Sequence, residues 1–476
     1  MGNLSSIPGH DCLLKAVSHN ADLVAFRGDP FFQFHALPLY NLNLPVAPAV
    51  IMYPKTTDQV AAIVRCAAEY NYKVQAHSGG HSYGNYGLGG SDGALVVDLK
   101  HFQQFSMNNH THVATIGAGT LLGDVQMRLH DAGGRAMAHG SCPQVGSGGH
   151  FTIGGLGAMS REWGTALDHV LEAEVVLANA SIVWASDTQN QDVFFAIKGA
   201  AASFGIVTLF KVLTHPEPTE AVQYAFTFTL GTSAAKANLF KDWQRLISQD
   251  TLSRKFSSEL VLFEGGVLVS GTFFGSRDEW NAFELEKQFP INNSGNVVHL
   301  TNWLGMLSSA AEKLILQIGG GIPQSFYAKS MSFTPDTLIP DDGVDALFSY
   351  IDTTSKGTIA WFVIFDLEGG ATNDVLVNAT AYAHRETIMW MQSYAINFYQ
   401  PVPETTKSFL NGLSDTISSA RPGNLFGSYP GYVDPYMENP QRAYWGTNLD
   451  RLQQIKTAID PHDIFHNPQS IAVISK

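Results

Sequence analysis

Residues 77–90 read His77-Ser78-Gly79-Gly80-His81-Ser82-Tyr83-Gly84-Asn85-Tyr86-Gly87-Leu88-Gly89-Gly90. A second glycine-flanked loop, Gly140-Ser141-Cys142-Pro143, leads into Gly146-Ser147-Gly148-Gly149-His150-Phe151-Thr152-Ile153-Gly154-Gly155-Leu156-Gly157. Glycine at this density permits positive φ and lets the main chain approach a large ligand closely. Each loop carries one nucleophilic side chain, His81 or Cys142. Taken alone, a histidine is more often a polar loop residue and a cysteine more often a small core hydrophobe. Two of them in matching glycine settings are candidate reactive groups.

Competing readings of these loops are weaker. No early strand is followed by Gly-X-Gly-X-X-Gly opening a helix, and no Gly-Lys-Ser/Thr phosphate loop occurs, which argues against dinucleotide and nucleoside triphosphate chemistry. His77 and His81 are separated by Ser78-Gly79-Gly80, a poor helix that cannot present two imidazoles at helical spacing, so no metal site is expected.

Outward from the loops, the chain alternates helix and strand. Val60, Ile63, Val64 and Ala67 follow a capping Thr57-Asp58 at helical spacing, and a short apolar strand then delivers His77. Strands are predicted over 94–99 and 113–116, a helix over 122–132 stopped by Gly133-Gly134, strands over 172–177 and 181–184, a helix around 193–197 and a strand over 205–212. Beyond Pro216-Glu217-Pro218 the texture changes to long alternating strands, 222–230 and 260–271, interleaved with helices over 234–247 and 278–288. That pattern predicts a large antiparallel sheet with helices on one face. A last helix, 448–458, runs into Ile464-Phe465-His466-Asn467-Pro468-Gln469-Ser470.

The segments 77–93, 140–168, 194–212 and 441–470 together resemble the covalent flavoproteins of the vanillyl-alcohol oxidase superfamily, and more closely the berberine-bridge-like branch with the fungal oligosaccharide oxidases. The resemblance spans essentially the whole chain. It implies an α+β fold: a PCMH-type FAD-binding domain over 1–215, a substrate domain over 216–425 with a large antiparallel sheet covered by helices, and a C-terminal segment, 426–476, returning to the FAD domain. It further implies FAD bonded twice, by His81 and Cys142, with Ser78, Gly79, Gly80, Ser82, Tyr83, Val145, Gly148, Gly149, Gly154, Ile206, Asn467 and Gln469 around the cofactor. Two tethers would raise the flavin potential and let the pocket stay open without loss of cofactor. The hydride chemistry belongs to the flavin, and the protein supplies position, a base and access for oxygen.

Removing a hydride from an alcohol carbon also requires a base for the hydroxyl proton. The resemblance points to Tyr432 assisted by Asp366, with Tyr429 or Asp374 as alternatives. Tyr83, Gln392, Ile364 and Phe362 would face substrate. Phe362, Ile364 and Leu156 stand where sugar-oxidising members carry Trp, Gln and Tyr, which leaves fewer polar sugar contacts. The expected activity is oxidation of a CH–OH group by O2 with release of H2O2, the anomeric hydroxyl of an oligosaccharide leading. The alternatives are a phenol, amine or other natural-product intermediate and, from another class, a non-redox binding or cyclisation scaffold.

Composition agrees with a small-molecule enzyme. The 476 residues exceed the usual size of one hydrophobic core, and 28 Lys and Arg against 42 Asp and Glu give a formal charge of −14, which disfavours nucleic acid. No apolar run suggests a membrane span. The expected partners are a small-molecule substrate and O2, and a monomer is expected. Of the three cysteines, the resemblance pairs Cys12 with Cys66 and leaves Cys142 for flavin. Such a bridge, and sequons at Asn3, Asn109, Asn179, Asn292 and Asn378, imply an oxidising compartment. Secretion is expected if the chain is a mature one, and a cytoplasmic location if Met1 is its native start; the Met1-Gly2 match to a myristoylation pattern is read as accidental.

Overall fold

The computed structural model describes residues 7–30, 32, 37–291, 295–301, 303, 323–398 and 400–474. The Met1-Gly2 start and the sequons at Asn3 and Asn292 lie outside them.

The first glycine loop leaves a short, buried sheet. Strand Val74–His77 pairs in parallel with Leu95–Asp98, which pairs in parallel with Val50–Met52, and Val24–Phe26 closes the edge antiparallel. Helix Thr57–Glu69 packs on it through Val60, Ile63, Val64 and Ala67. Its cap is Thr56, one residue before the expected position, because the Thr56 hydroxyl is the group that accepts the Gln59 N–H. A disulfide between Cys12 and Cys66 ties helix His10–Ala16 to this helix.

A second, five-stranded antiparallel sheet runs in the order Phe105–Asn108, Val113–Gly117, Gly205–Leu213, Val170–Leu177, Ile182–Ser186. One core joins both sheets, since Val50, Ile63 and Val97 share it with Ile116, Val175 and Phe210. Helix Gln191–Ala200 is longer than expected, with Lys198 and Gly199 leaving helical geometry at its end.

After Pro216 the chain builds a seven-stranded antiparallel sheet, ordered 295–301, 221–228, 266–273, 259–263, 361–367, 389–397, 325–333. The stretch expected as one strand over 260–271 is a hairpin, Glu259–Phe263 and Gly266–Phe273. Its turn needs Gly266 at φ 140°, a conformation other residues rarely adopt. The helix expected over 278–288 breaks at Glu284, φ 47°, into Arg277–Phe283 and Leu285–Gln288, which lets Leu285 and Phe289 reach the core.

Period-two alternation gives this sheet two different faces. From strand Trp361–Leu367, Val363, Phe365 and Leu367 turn toward helices Ser233–Ile247, Asp341–Thr353 and Glu404–Ala420. There Phe240, Trp243, Phe365 and Phe409 are fully buried, each contributing about 1.5–3 kcal/mol relative to exposure. Phe362 and Ile364 turn the other way and pack with Phe326 and Tyr394 against Tyr40 and Tyr83, on the side of the glycine loops.

The chain end returns to where it began. Helix Leu449–Ile459 presents the fully buried Lys456, whose ammonium donates to Asp460 and to the carbonyls of Ser203 and Phe465. The Val74 N–H then donates to the Ile464 carbonyl at 2.8 Å, laying the terminal segment beside the strand that feeds His81. Among the described residues, no helix is long and apolar enough to cross a membrane.

Candidate active site

The two glycine loops meet main chain to main chain. A Cβ added to Gly79 would stand 2.2 Å from the Gly146 nitrogen and 2.6 Å from the Gln144 carbonyl oxygen. One added to Gly146 would stand 2.1 Å from the Gly79 nitrogen. A single carbonyl locks the pair: Ala118 accepts the Ser78 hydroxyl at 2.6 Å and the Gly148 N–H at 3.0 Å. The Cys142 loop is held from its other end by the Gly140 N–H, which donates to His150 Nε2 at 2.8 Å.

This contact puts His81 and Cys142 on the wall of one cavity of about 460 Å³. Burial, with His77 nearby, lowers the His81 imidazole to about 4, so its ring is neutral and nucleophilic at ordinary pH. Burial and His139 lower His150 to about 3, which suits its role as acceptor of the Gly140 N–H.

Of the residues singled out from the sequence, Ser78, Gly79, Gly80, Ser82, Val145, Gly148, Gly149, Asn467 and Gln469 line this cavity with the two nucleophiles. Tyr83, Ile364, Asp366, Gln392, Tyr429 and Tyr432 line it too, as does Leu156. Gly154, Ile206 and Phe362 do not line it. A Cβ on Gly154 would meet Tyr382 and Tyr429 at 2.9 and 3.0 Å, so that glycine serves aromatic packing. Ile206 is buried in the core while its neighbours Gly205 and Val207 face the cavity, as strand alternation requires. Phe362 lies one step farther along its strand than Ile364, within the apolar cluster. Asp374 is elsewhere: it forms an exposed two-point ion pair with Arg254, at 2.7 and 2.8 Å.

The two candidate tyrosines differ. The Tyr429 hydroxyl accepts the Gly155 N–H at 2.8 Å and so is engaged by main chain. Tyr432 packs edge-on against Tyr429, 5.0 Å between centroids, and stacks on Tyr83 at 6.1 Å. Burial, and next the Asp366 carboxylate, raise the Tyr432 phenol well above its ordinary value. Gln392 is buried rather than a surface group, and its amide donates to the Tyr83 hydroxyl at 2.8 Å.

Sequence reasoning missed several lining groups. Tyr40 sits 4.6 Å from the His81 ring and comes from a segment with no motif of its own. Tyr394 and Glu259 also line the cavity. A carboxylate in the otherwise apolar strand Glu259–Phe263 was a signal that could have been read.

Two family models match the chain: FAD binding domain over residues 48–186, and berberine and berberine like over residues 428–472. The FAD-linked oxidoreductase sorD of Penicillium rubens is 41% identical over 98% of this chain and 98% of its own length. The chain belongs to this family of berberine-bridge-like, FAD-linked oxidoreductases. Within the family, the glucooligosaccharide oxidase of Sarocladium strictum is 34% identical, over 92% of this chain and 89% of its own. A solved glucooligosaccharide oxidase from Acremonium strictum, whose 6-S-cysteinyl, 8α-N1-histidyl FAD was its subject, superposes with TM-score 0.88 at 31% identity, covering 98% of this chain and all of the other.

The cavity fits the FAD of this family. Space is open where a side chain on Gly149 would stand, Gly79, Gly146 and Gly148 have no room for one, and the two nucleophiles share a wall.

Proposed function

We propose that His81 and Cys142 each bond the ring system of one FAD, and that the protein is an oxidase whose proton acceptor is Tyr432 backed by Asp366. The observation that carries this reading is the single cavity lined by His81 and Cys142 together with Tyr432 and Asp366. The glycine loops and the returning Asn467–Gln469 segment would hold the rest of the cofactor. When bound, FAD accepts a hydride from substrate and delivers electrons to O2, giving H2O2.

The protein's own task is the substrate hydroxyl proton. A phenol held well above its ordinary value does not rest as phenolate, so Tyr432 acts as a relay. Its oxygen takes the substrate proton as its own proton passes to Asp366. Tyr429 accepts a main-chain hydrogen bond instead and supports the aromatic wall.

The substrate end favours an alcohol with an aromatic or largely apolar body. Leu156, Ile364, Tyr40, Tyr83 and Tyr394 line it, and the Gln392 amide already donates to Tyr83. Each buried sugar hydroxyl left without a partner would cost about 1–3 kcal/mol. An oligosaccharide is the second reading, supported by full-length likeness to a glucooligosaccharide oxidase. Peroxide assays with maltotriose, xylobiose and chitobiose against 4-hydroxybenzyl alcohol separate the two. Acid-denatured protein should keep its yellow colour in the pellet, and colour released to the supernatant overturns the tethers. A flavin that no member of the panel bleaches anaerobically overturns the oxidase.

A further inference from the structure

Behind Tyr432 lies a second cavity of about 100 Å³, sharing Leu156, Glu259, Asp366 and Tyr432 with the main one and lined on its far side by Glu368. It has room for a few water molecules. Glu368 is 5% exposed, and its Oε2 is buried with no hydrogen-bond partner among the described residues. An orphaned carboxyl oxygen at a small polar cavity calls for water or a proton, since an unpaired buried charge is costly.

We propose that Glu368 is a neutral carboxylic acid that, through water in this cavity, donates a hydrogen bond toward Asp366 and keeps Asp366 the ionised member of the pair. Glu368 is thus a positioning residue for the proton relay, and the inference rests on the reading of Tyr432 and Asp366 given above.

The groups around Glu368 explain the division. Asp366 stands two residues back, near the end of strand Trp361–Leu367, and Glu259 is the cross-strand partner of Asp366. Tyr382, Tyr429 and Tyr432 bring phenols close enough that ionised Glu368 would raise each of them further. The nearby cation is Arg161, and its hydrogen bonds run to the carbonyls of Glu368, Phe256, Ser253 and Leu252. That guanidinium is bonded to main chain rather than to the Glu368 carboxylate, whereas the buried Glu259 accepts the Ser270 hydroxyl at 3.0 Å, so Glu368, buried with Asp366 two residues away, is the acid that retains its proton. Burial, then Asp366, push Glu368 up to about 8, with Arg161 opposing.

Infrared difference spectroscopy of the holoenzyme across pH tests this without any substrate. The expected result is a protonated-carboxyl band at pH 7 that fades near pH 8, is absent from Glu368→Gln and persists in Asp366→Asn. A band that survives Glu368→Gln but vanishes in Asp366→Asn, or no band at all, overturns the inference. In a second arm, flavin reduction is followed with whichever compound of the peroxide panel reduces it fastest. Glu368→Leu should slow reduction about tenfold, Glu368→Gln, which still donates a hydrogen bond, should largely restore the rate, and the fall in wild-type rate expected as Glu368 ionises near pH 8 should be absent from Glu368→Gln. A Gln variant as slow as the Leu variant, or a Leu variant as fast as wild type, overturns the inference. Asp366→Asn reducing at the wild-type rate overturns the base reading itself, whatever the band shows.

Discussion

The two walls of the main cavity are built from different material. Around His81 and Cys142 the wall is main chain: Gly79 against Gly146, with both loops bonded to the Ala118 carbonyl. Opposite, the wall is side chains, the face of an antiparallel sheet carrying Ile364, Asp366, Gln392 and Tyr394. A main-chain wall tolerates little substitution, because a Cβ at Gly79, Gly146 or Gly148 collides with backbone. A sheet face can exchange every second residue while its other face keeps the core. On the function proposed above, cofactor attachment belongs to the first wall and choice of substrate to the second.

The largest expected effect falls where the two walls meet. Tyr432→Phe should lower the rate of flavin reduction by about 10²–10⁴-fold, measured anaerobically by stopped flow. Tyr429→Phe should leave that rate within a few-fold and instead cost about 1–2 kcal/mol of stability, because the Gly155 N–H loses its acceptor. The reverse pattern would move the base to Tyr429. Next in size is Gly146→Ala, whose added carbon would stand 2.1 Å from both the Gly79 nitrogen and the Ser78 hydroxyl oxygen, the latter fixed on the Ala118 carbonyl. It should cost about 1–3 kcal/mol or more and deplete covalent flavin, read as the ratio of flavin to protein absorbance. Full flavin content in that variant would mean the loops can part without losing the site.

What could be read from the sequence follows the same division. The main-chain wall was legible because its requirements are local: glycine where a Cβ cannot stand, a nucleophile within a few residues, a strand before and a helix after. The large sheet was legible too, through alternation in strands such as Ala221–Phe228. The sheet wall of the site was only partly so. Gln392 and Ile364 are cross-strand partners from distant segments, and nothing within either segment announces the other. Glu368 was invisible as a special group because its setting arises from Arg161, Tyr382 and Glu259 in three distant segments of the chain. The break at Gly266 has a local cause, the Gly265-Gly266 turn, hidden by the apolar runs on either side, whereas the break at Glu284 is decided by tertiary packing rather than helix preference.

A moderate effect is expected on the sheet wall. Ile364 is 6% exposed and faces Gln392 across the strands. Ile364→Gln puts an amide beside substrate without touching the helix-packed face. The ratio of kcat/KM for oligosaccharide over aromatic alcohol should rise about tenfold, the size of one pocket contact. An unchanged ratio would mean that specificity lies in Tyr40 and Tyr83 on the opposite side.

The smallest effect should be on the main-chain wall, where pH ought to do almost nothing over a wide range. An imidazole attacks carbon only when its ring nitrogen is unprotonated. A histidine at its ordinary value of about 6.5 would be about 9% neutral at pH 5.5, whereas one lowered to about 4 is about 97% neutral there. Attachment through His81 in Cys142→Ala apoprotein mixed with FAD should thus proceed at nearly one rate from pH 7 to pH 5.5. It should slow only as pH falls through about 4, where protonation removes the nucleophile. A rate that instead drops about tenfold by pH 5.5 would mean that the ring is solvated when it reacts, and that the two loops close around the cofactor after the first bond has formed.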